Sequence, residues 1–176
     1  MKNTKGMTLI ELMMSVGLSA VVLVLAIPAF TTVIDNTKVA TVATRFQTEL
    51  AFARSEALTR RRYVTVCRTQ DNQNCIFSGP WSDGAMTFED RNGNRVRDGA
   101  EEVLRVQTKS DFSGLHIVDT GRRQQVSLRP DGRSAGTNVT LRLCDRELEA
   151  RRLLIINVGG RVRVAKPTSS TPSCRS

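Results

Sequence analysis

The sequence predicts an α+β protein in which a long N-terminal helix packs on an antiparallel β-sheet. Three observations support this fold class. Residues 12–34 contain no charged side chain, as in an apolar helix. The segment that follows has apolar residues at spacings of three and four, as in an amphipathic helix. From residue 62 onward, apolar and polar residues alternate, as in strands with one buried face.

The first predicted element is the uncharged stretch at residues 12–34, preceded by Lys2 and Lys5. A helix of this length spans roughly 34 Å, enough to cross a hydrocarbon core of about 30 Å. By the positive-inside tendency, the two lysines keep the N-terminus cytoplasmic. The stretch is therefore predicted to be a transmembrane helix that crosses once.

The amphipathic half of the same helix is predicted from an apolar stripe. Its members are Val39, Val42, Ala43, Phe46, Leu50, Ala53 and Ala57. The charged residues of this segment fall largely off the stripe: Lys38, Arg45, Glu49, Arg54 and Glu56. The helix is expected to run from about Thr8 to about Arg60, with a kink at Pro28.

Short period-two segments separated by Gly, Asn and Asp turns predict the strands of a globular head. They are residues 63–67, 85–88, 103–106, 115–118, 125–128, 139–143, 153–157 and 161–164. The amphipathic helix needs a surface on which to bury its stripe, and these strands supply it.

The N-terminus also resembles a known export signal. Lys5-Gly6 followed by Met7-Thr8-Leu9-Ile10-Glu11-Leu12 is similar to the class III signal of type IV pilins and type II secretion pseudopilins. The resemblance implies that a prepilin peptidase cuts between Gly6 and Met7 and methylates the new amino terminus of Met7. It implies this domain order: leader 1–6, transmembrane and assembly helix 7–34, amphipathic half 35–62, and β-rich head 63–176.

Glu11 stands at the start of the apolar run, where a carboxylate is costly in lipid unless it has a partner. The resemblance implies that Glu11 pairs with the Met7 amine of a neighbouring subunit during assembly. It also implies a single-pass inner-membrane protein with a periplasmic head. The protein then enters a pilus or pseudopilus, with other major and minor pilins as partners.

The four cysteines have no CxxC spacing, which disfavours a zinc site. Export makes disulfides the default. Three pairings are possible, and the favoured one joins Cys67 to Cys75 across a short loop and Cys144 to Cys174. The second bond would pin a polar C-terminal tail and hold Arg175 near the last hairpin.

Positive charge is concentrated near the C-terminus. The net charge is +9, and residues 121–176 hold 12 basic residues against 4 acidic ones. Most of the basic residues are arginines, whose planar donor fork suits phosphate. His116 is the only histidine, and no nucleophile elbow or metal cluster is visible. The sequence therefore predicts no enzyme and no cofactor.

The register of the last hairpin follows from polarity. A three-residue loop at 158–160 with a glycine in the left-handed region would set Ile156 opposite Val162 and Leu154 opposite Val164. Both apolar pairs would then face the core. The alternate residues of the last strand, which are basic, would project to solvent.

Gly160-Arg161-Val162-Arg163 resembles the Gly-Arg-x-Arg motif of FimT-type minor pilins in the GspH/FimT family, which are implicated in binding DNA during natural transformation. The resemblance implies that Gly160, Arg161, Arg163 and Lys166 bind double-stranded DNA without reading its sequence. The sequence does not decide whether the DNA-binding surface extends to four further arginines: Arg151, Arg152, Arg122 and Arg123. The alternative is a structural minor pilin or pseudopilin, GspH-like or FimU-like, that primes fibre assembly.

Two other motifs have competing interpretations. Asp90, Asn92, Asn94, Asp98 and Glu101 have the spacing of a calcium loop. Arg95 occupies the position that needs Gly, so a structural β-turn is favoured over calcium. Trp81, in a Gly-Pro-Trp-Ser loop, is expected to pack on the head rather than stack on a base.

Overall fold

The computed structural model describes residues 6, 8–112, 114–121, 124–136 and 138–175, and their side chains except at 23–32. Helix α1 spans Leu9–Arg60, which confirms the predicted bounds. The side chain of Pro28 lies outside the described set, so the kink stays a prediction. Eight strands follow within the described residues: β1 Tyr63–Arg68, β2 Gly84–Asp90, β3 Val103–Thr108, β4 His116–Asp119, β5 Gln125–Leu128, β6 Val139–Cys144, β7 Ala150–Ile156 and β8 Val162–Ala165.

The chain divides into two compact units, Met1–Thr37 and Lys38–Ser176. In the first unit, the large apolar side chains of α1 that the structure describes are solvent-exposed: Leu9, Ile10, Leu12, Met13, Met14, Val16, Leu18, Val21, Val22, Val33 and Ile34. Among the described residues, no helical segment is both long enough and apolar enough to cross a membrane.

Thr8 and Glu11 cap the start of α1. The Thr8 backbone N–H and hydroxyl each lie 3.4 Å from Glu11 Oε2, and the Glu11 N–H lies 3.4 Å from Thr8 Oγ1. This reciprocal arrangement is a capping box, which satisfies donors that have no partner inside the helix. Within a single chain, the Glu11 carboxylate therefore stabilises the helix end.

The second unit contains two antiparallel sheets rather than the single sheet expected. One has the order β3-β2-β1-β5 and the other β4-β6-β7-β8. Each predicted strand segment has its counterpart among them. Period-two patterns identify strands but not their partners, so the division into two sheets comes from how the strands pair.

One core joins α1 to both sheets. The predicted stripe of α1 is buried at every position. It shares a cluster with Val64 and Val126 of the first sheet and with Leu141, Leu154 and Ile156 of the second. The helix and the two inner faces therefore pack together, which confirms the predicted fold class in outline.

Glu49 differs from the expectation that it lies off the buried face, since only 2% of its surface is exposed. Its carboxylate accepts hydrogen bonds from the Thr87 hydroxyl, from Arg105 at 3.3 Å and from Gln107 at 3.4 Å. A buried carboxylate is tolerated only with such partners. The partners come from β2 and β3, so the helix pattern by itself did not reveal them.

Both disulfides join the pairs that the sequence favoured, Cys67–Cys75 and Cys144–Cys174. The second bond fixes the tail at the turn between β6 and β7. Arg175 accordingly lies 3.9 Å from Glu149 in that turn. Arg175 is therefore held at the open end of the last hairpin. The loop of that hairpin lies at the other end of β7, about 20 Å away at the rise of a strand, so the bond does not bring Arg175 to the loop arginine Arg161.

Candidate functional site

The β7–β8 hairpin has the predicted geometry at its loop. The Asn157 N–H donates to the Arg161 carbonyl at 3.0 Å, and the Gly160 N–H donates to the Asn157 carbonyl at 2.9 Å. Gly160 has a φ of +73°, in the left-handed region that favours glycine. The hairpin therefore closes on a three-residue loop, residues 158–160.

The strand register confirms the polarity argument. Ile156 pairs with Val162, and Leu154 pairs with Val164. Leu154 and Ile156 are fully buried, but 39% of Val164 is exposed. The expectation that both pairs are buried is wrong for Val164, because β8 is an edge strand and its far end is not covered.

Arg161 and Arg163 project to solvent. Both are exposed, and neither forms an ion pair with a carboxylate among the described residues. The Arg161 backbone N–H is bound by Asn157 Oδ1 at 2.9 Å, which fixes the start of the strand. Their guanidinium groups are thus free to meet an anion.

Lys166 is also exposed, but it lies beyond Ala165, the last residue of β8. Strand alternation gives residues 161 and 163 one face and residues 162 and 164 the other. This alternation ends with the strand, so it does not assign Lys166 to either face. Lys166 adds positive charge at the end of β8 that is away from the loop.

Gly160 packs against a second turn. A Cβ atom at Gly160 would lie 2.1 Å from the Gly132 carbonyl oxygen and 3.5 Å from the Arg133 Cα atom. The Ser134 N–H donates to the Val158 carbonyl at 3.0 Å and joins the same two turns. Glycine in the Gly-Arg-x-Arg segment is therefore required by close backbone packing.

That second turn carries two arginines that were not among the residues predicted to bind DNA. Arg129 and Arg133 flank the Pro130-Asp131-Gly132 segment, and both are exposed. Two arginines around a turn were visible in the sequence. Nothing in the pattern indicated that this turn meets the last hairpin, because β5 and β7 belong to different sheets.

The candidate extension at Arg151 and Arg152 differs from the hairpin arginines. Arg151 Nε lies 2.6 Å from Asp145 Oδ2. Burial alone would raise the pKa of Asp145, but hydrogen bonds from the Glu149 N–H and Arg151 outweigh it and hold the pKa below its ordinary value. Arg152 is half-buried and donates to the Arg151 carbonyl. Neither arginine is freely available, and the sequence did not show this.

Arg122 and Arg123, the rest of that extension, lie outside the described residues. Met7 does as well, so the proposed cleavage and methylation site is described only on its Gly6 side, where the residue is exposed.

The candidate calcium loop forms a turn bound by its own backbone. Glu101 accepts the Arg91 N–H at 2.7 Å and the Asp98 N–H at 3.0 Å, while Asp90 accepts the Arg95 N–H at 3.0 Å. Arg95 takes the left-handed φ of +66° at the position where a calcium loop has glycine. No group of three or more metal-ligating side chains occurs in the part of the chain that the structure describes.

Trp81 is fully buried in the core. Its ring meets Phe46 of α1 edge-on, with 5.6 Å between the ring centroids. This confirms packing on the head and excludes a stacking role in this fold.

Comparison with known families agrees with this architecture. The profile of the family described as type II transport protein GspH matches residues 42–160. A prokaryotic N-terminal methylation motif matches residues 1–27. The chain therefore belongs to the GspH family.

Solved structures share the fold at low sequence identity. The type IV minor pilin FimU of Pseudomonas aeruginosa has a TM-score of 0.59 and 21% identity, with 78% of this chain and 96% of that chain covered. Escherichia coli GspH has a TM-score of 0.54 and 14% identity, with 78% of this chain and 94% of that chain covered. The minor pseudopilin EpsH of the Vibrio cholerae type 2 secretion system has a TM-score of 0.52 and 13% identity, with 76% of this chain and 99% of that chain covered. The chain has no significant match among curated proteins.

Proposed function

We propose that this chain is a minor type IV pilin that binds double-stranded DNA without reading its sequence and serves DNA uptake in natural transformation. The observation that carries the proposal is the pair Arg161 and Arg163 on an exposed strand edge, free of carboxylates in the described structure. An unpaired guanidinium presents its full set of donors to a phosphate. Contacts of this kind attach to the DNA backbone and are insensitive to base sequence.

Binding through a small number of phosphates is expected to be weak and strongly dependent on salt. Each contact releases condensed counterions, so the logarithm of affinity falls by about 0.9 per contact for each tenfold rise in salt. Affinity is expected on the order of micromolar at low salt. Several copies in one fibre, or one copy at its tip, would gain affinity by avidity.

The proposal includes the route to the fibre. The N-terminal segment anchors the chain in the inner membrane with its head in the periplasm. Prepilin peptidase then removes residues 1–6 and methylates Met7. In the fibre, the Met7 amine of one subunit meets Glu11 of its neighbour. Within one chain, Glu11 is held by Thr8 at 3.4 Å, a long contact that the amine would displace.

A titration of duplex DNA by fluorescence anisotropy tests the DNA proposal. The full chain in a neutral detergent is compared at about 50 mM and about 200 mM salt. Replacing Arg161 and Arg163 together by Ala is expected to weaken binding at least tenfold and to lower the salt slope by about two. The matched control is Arg146→Ala, an exposed arginine at the other end of β7. No binding by the natural chain at the lower salt concentration would refute the proposal.

The second candidate function is purely structural, as a subunit that primes fibre assembly in a pilus or a type II secretion system. The exposed apolar face of the first unit favours it, because such a face is stable only against lipid or other subunits. Glu11→Ala is expected to leave folded protein that does not enter fibres, with Ser15→Ala as control. Normal incorporation of Glu11→Ala into sheared fibres would contradict the assembly role of Glu11.

A further inference from the structure

We infer that the DNA-binding surface consists of two docked turns, in which Arg129 and Arg133 supply a second pair of phosphate contacts beside the hairpin. This inference rests on the proposed function and names the residues that complete its site. The paired surface is called the double turn here and comprises residues 129–133 and 157–161, with Arg163 beyond them.

The two turns are held in contact by their backbones. The Ser134 N–H donates to the Val158 carbonyl, and Gly160 leaves no space for a side chain against Gly132. Because these contacts use main-chain atoms, they set the spacing of the two turns regardless of the arginine side chains. Arg133 follows Gly132 directly and Arg161 follows Gly160 directly. Both arginines therefore lie next to the place where the two turns are in contact.

The turn at 129–133 rests on α1. A Cβ atom at Gly132 would lie 3.1 Å from Arg54 Nε and 3.1 Å from Leu58, and Arg54 Nη1 lies 3.5 Å from the Gly160 carbonyl. The helix thus supports both turns from below. A surface that is held rigid before binding loses less conformational entropy on association than a flexible tail does.

The polar groups of the turn leave its guanidinium groups unused. The Gly132 N–H donates to the Arg129 carbonyl at 2.8 Å, and the Arg129 N–H donates to the Arg133 carbonyl at 2.8 Å. Asp131 is the acidic residue nearby, and its Oδ1 accepts the Arg133 backbone N–H at 3.0 Å. Neither arginine forms an ion pair within the described ranges.

The charge of the double turn remains positive when Asp131 is counted. Arg129 and Arg133 on one turn, Arg161 on the other and Arg163 just beyond it, counted with Asp131, give a net charge of +3. A groove of about 530 Å³ opens beside Arg129, between Val158 and Tyr63. A nucleic-acid backbone that contacts Arg129 would pass over this groove. Phosphate, as the repeating charged group of DNA, is the chemistry that this row of guanidiniums recognises.

The test is a salt titration of DNA binding by the full chain in neutral detergent, with a short duplex as the probe. Arg129 and Arg133 are both replaced by Ala, and in a second variant by Gln, which keeps length without charge. Each is expected to weaken binding about tenfold at about 50 mM salt and to lower the salt slope by about two. Arg146→Ala is the control with the same loss of charge per site at the far turn.

A gain-of-binding variant makes the test two-sided. Asp131→Asn keeps an oxygen that accepts the Arg133 N–H but removes the negative charge. Binding is expected to tighten roughly twofold at low salt, as one charge removed at a distance of about 8 Å in water predicts. Circular dichroism and urea unfolding establish that each variant is folded.

The outcomes separate the two proposals. If the Arg129/Arg133 variants bind as tightly as the natural chain while the Arg161/Arg163 variant does not bind, the double turn is wrong and DNA binding by the hairpin stands. If the natural chain does not bind DNA at all, the proposed function fails, and this inference fails with it. Weaker DNA binding by both the Arg129/Arg133 and the Arg161/Arg163 variants, with unchanged binding by Arg146→Ala, supports the double turn.

Discussion

Arginines lie near both ends of β7, but the turns at the two ends place them in different surroundings. At one end, the Asp145–Glu149 turn binds Arg151 at 2.6 Å and approaches Arg175 at 3.9 Å. At the other end, the Asn157–Arg161 turn holds its shape with a neutral side chain, since Asn157 Oδ1 accepts the Arg161 N–H at 2.9 Å. The first turn uses a carboxylate to order its backbone, and the second uses an amide.

This difference decides which positive charges are available. A carboxylate that accepts backbone N–H groups keeps its negative charge at the turn and attracts the nearest arginine. An amide satisfies the same kind of donor without any charge. The count of arginines is therefore a poor guide to a binding surface, whereas the identity of the turn-capping side chain is informative.

The largest expected effect is at the hairpin end. Gly160→Ala forces a side chain into the left-handed region and against the Gly132 carbonyl, where a Cβ atom would lie 2.1 Å away. We expect the free energy of unfolding to fall by about 2–4 kcal/mol. Urea denaturation measures it. Gly159→Ala is the matched control, since its nearest contact would be the Asn157 side chain at 3.3 Å; an equal loss in both variants would contradict close packing at Gly160.

The next effect is at the opposite turn. Asp145→Ala removes the acceptor of the Glu147 and Glu149 N–H groups, each 3.0 Å from Oδ1, and leaves Arg151 without its partner. We expect the free energy of unfolding, measured by urea denaturation, to fall by about 2 kcal/mol. Asn157→Ala, which removes one acceptor at the hairpin, should cost about half as much. A smaller loss for Asp145→Ala than for Asn157→Ala would break the contrast between the two turns.

The two ends should also differ in their response to acid. The folded-state pKa of Asp145 is below its ordinary value of 3.8, so its stabilising contribution is present above that pH and is lost as pH falls through the folded pKa. The difference in unfolding free energy between the natural chain and Asp145→Asn should therefore shrink below pH 3.8. Urea unfolding across the acid range measures this; a gap that widens with acid would be inconsistent with the depressed pKa.

The smallest effect concerns the outer ion pair of the Asp145–Glu149 turn. Arg175 and Glu149 are largely exposed, with side chains 70% and 55% accessible, and their closest atoms are 3.9 Å apart. Such pairs contribute about 0–1 kcal/mol. We expect Arg175→Ala to change the free energy of unfolding by less than about 0.5 kcal/mol and to leave DNA affinity unchanged. A clear loss of affinity in this variant would place DNA contacts at the wrong end of β7.

Much of the fold could be predicted from local patterns. The stripe of α1 from Val39 to Ala57 is buried as the helical spacing indicated, and Ile156 faces Val162 as the polarity of the hairpin required. Both results depend on periodicities that a helix or a strand imposes on its own residues. The burial of Glu49 was not predictable, because Thr87, Arg105 and Gln107 reach it from strands far along the chain.

The sequence by itself determined the helix, the strands, the hairpin register and the exposure of Arg161 and Arg163, because each follows from neighbours along the chain. Tertiary structure alone decided that the strands form two sheets, that strands β2 and β3 supply the partners of Glu49, and that Gly160 meets Gly132. These contacts join segments whose sequences carry no mark of each other. Which arginines remain free for a phosphate is therefore a property of the folded molecule.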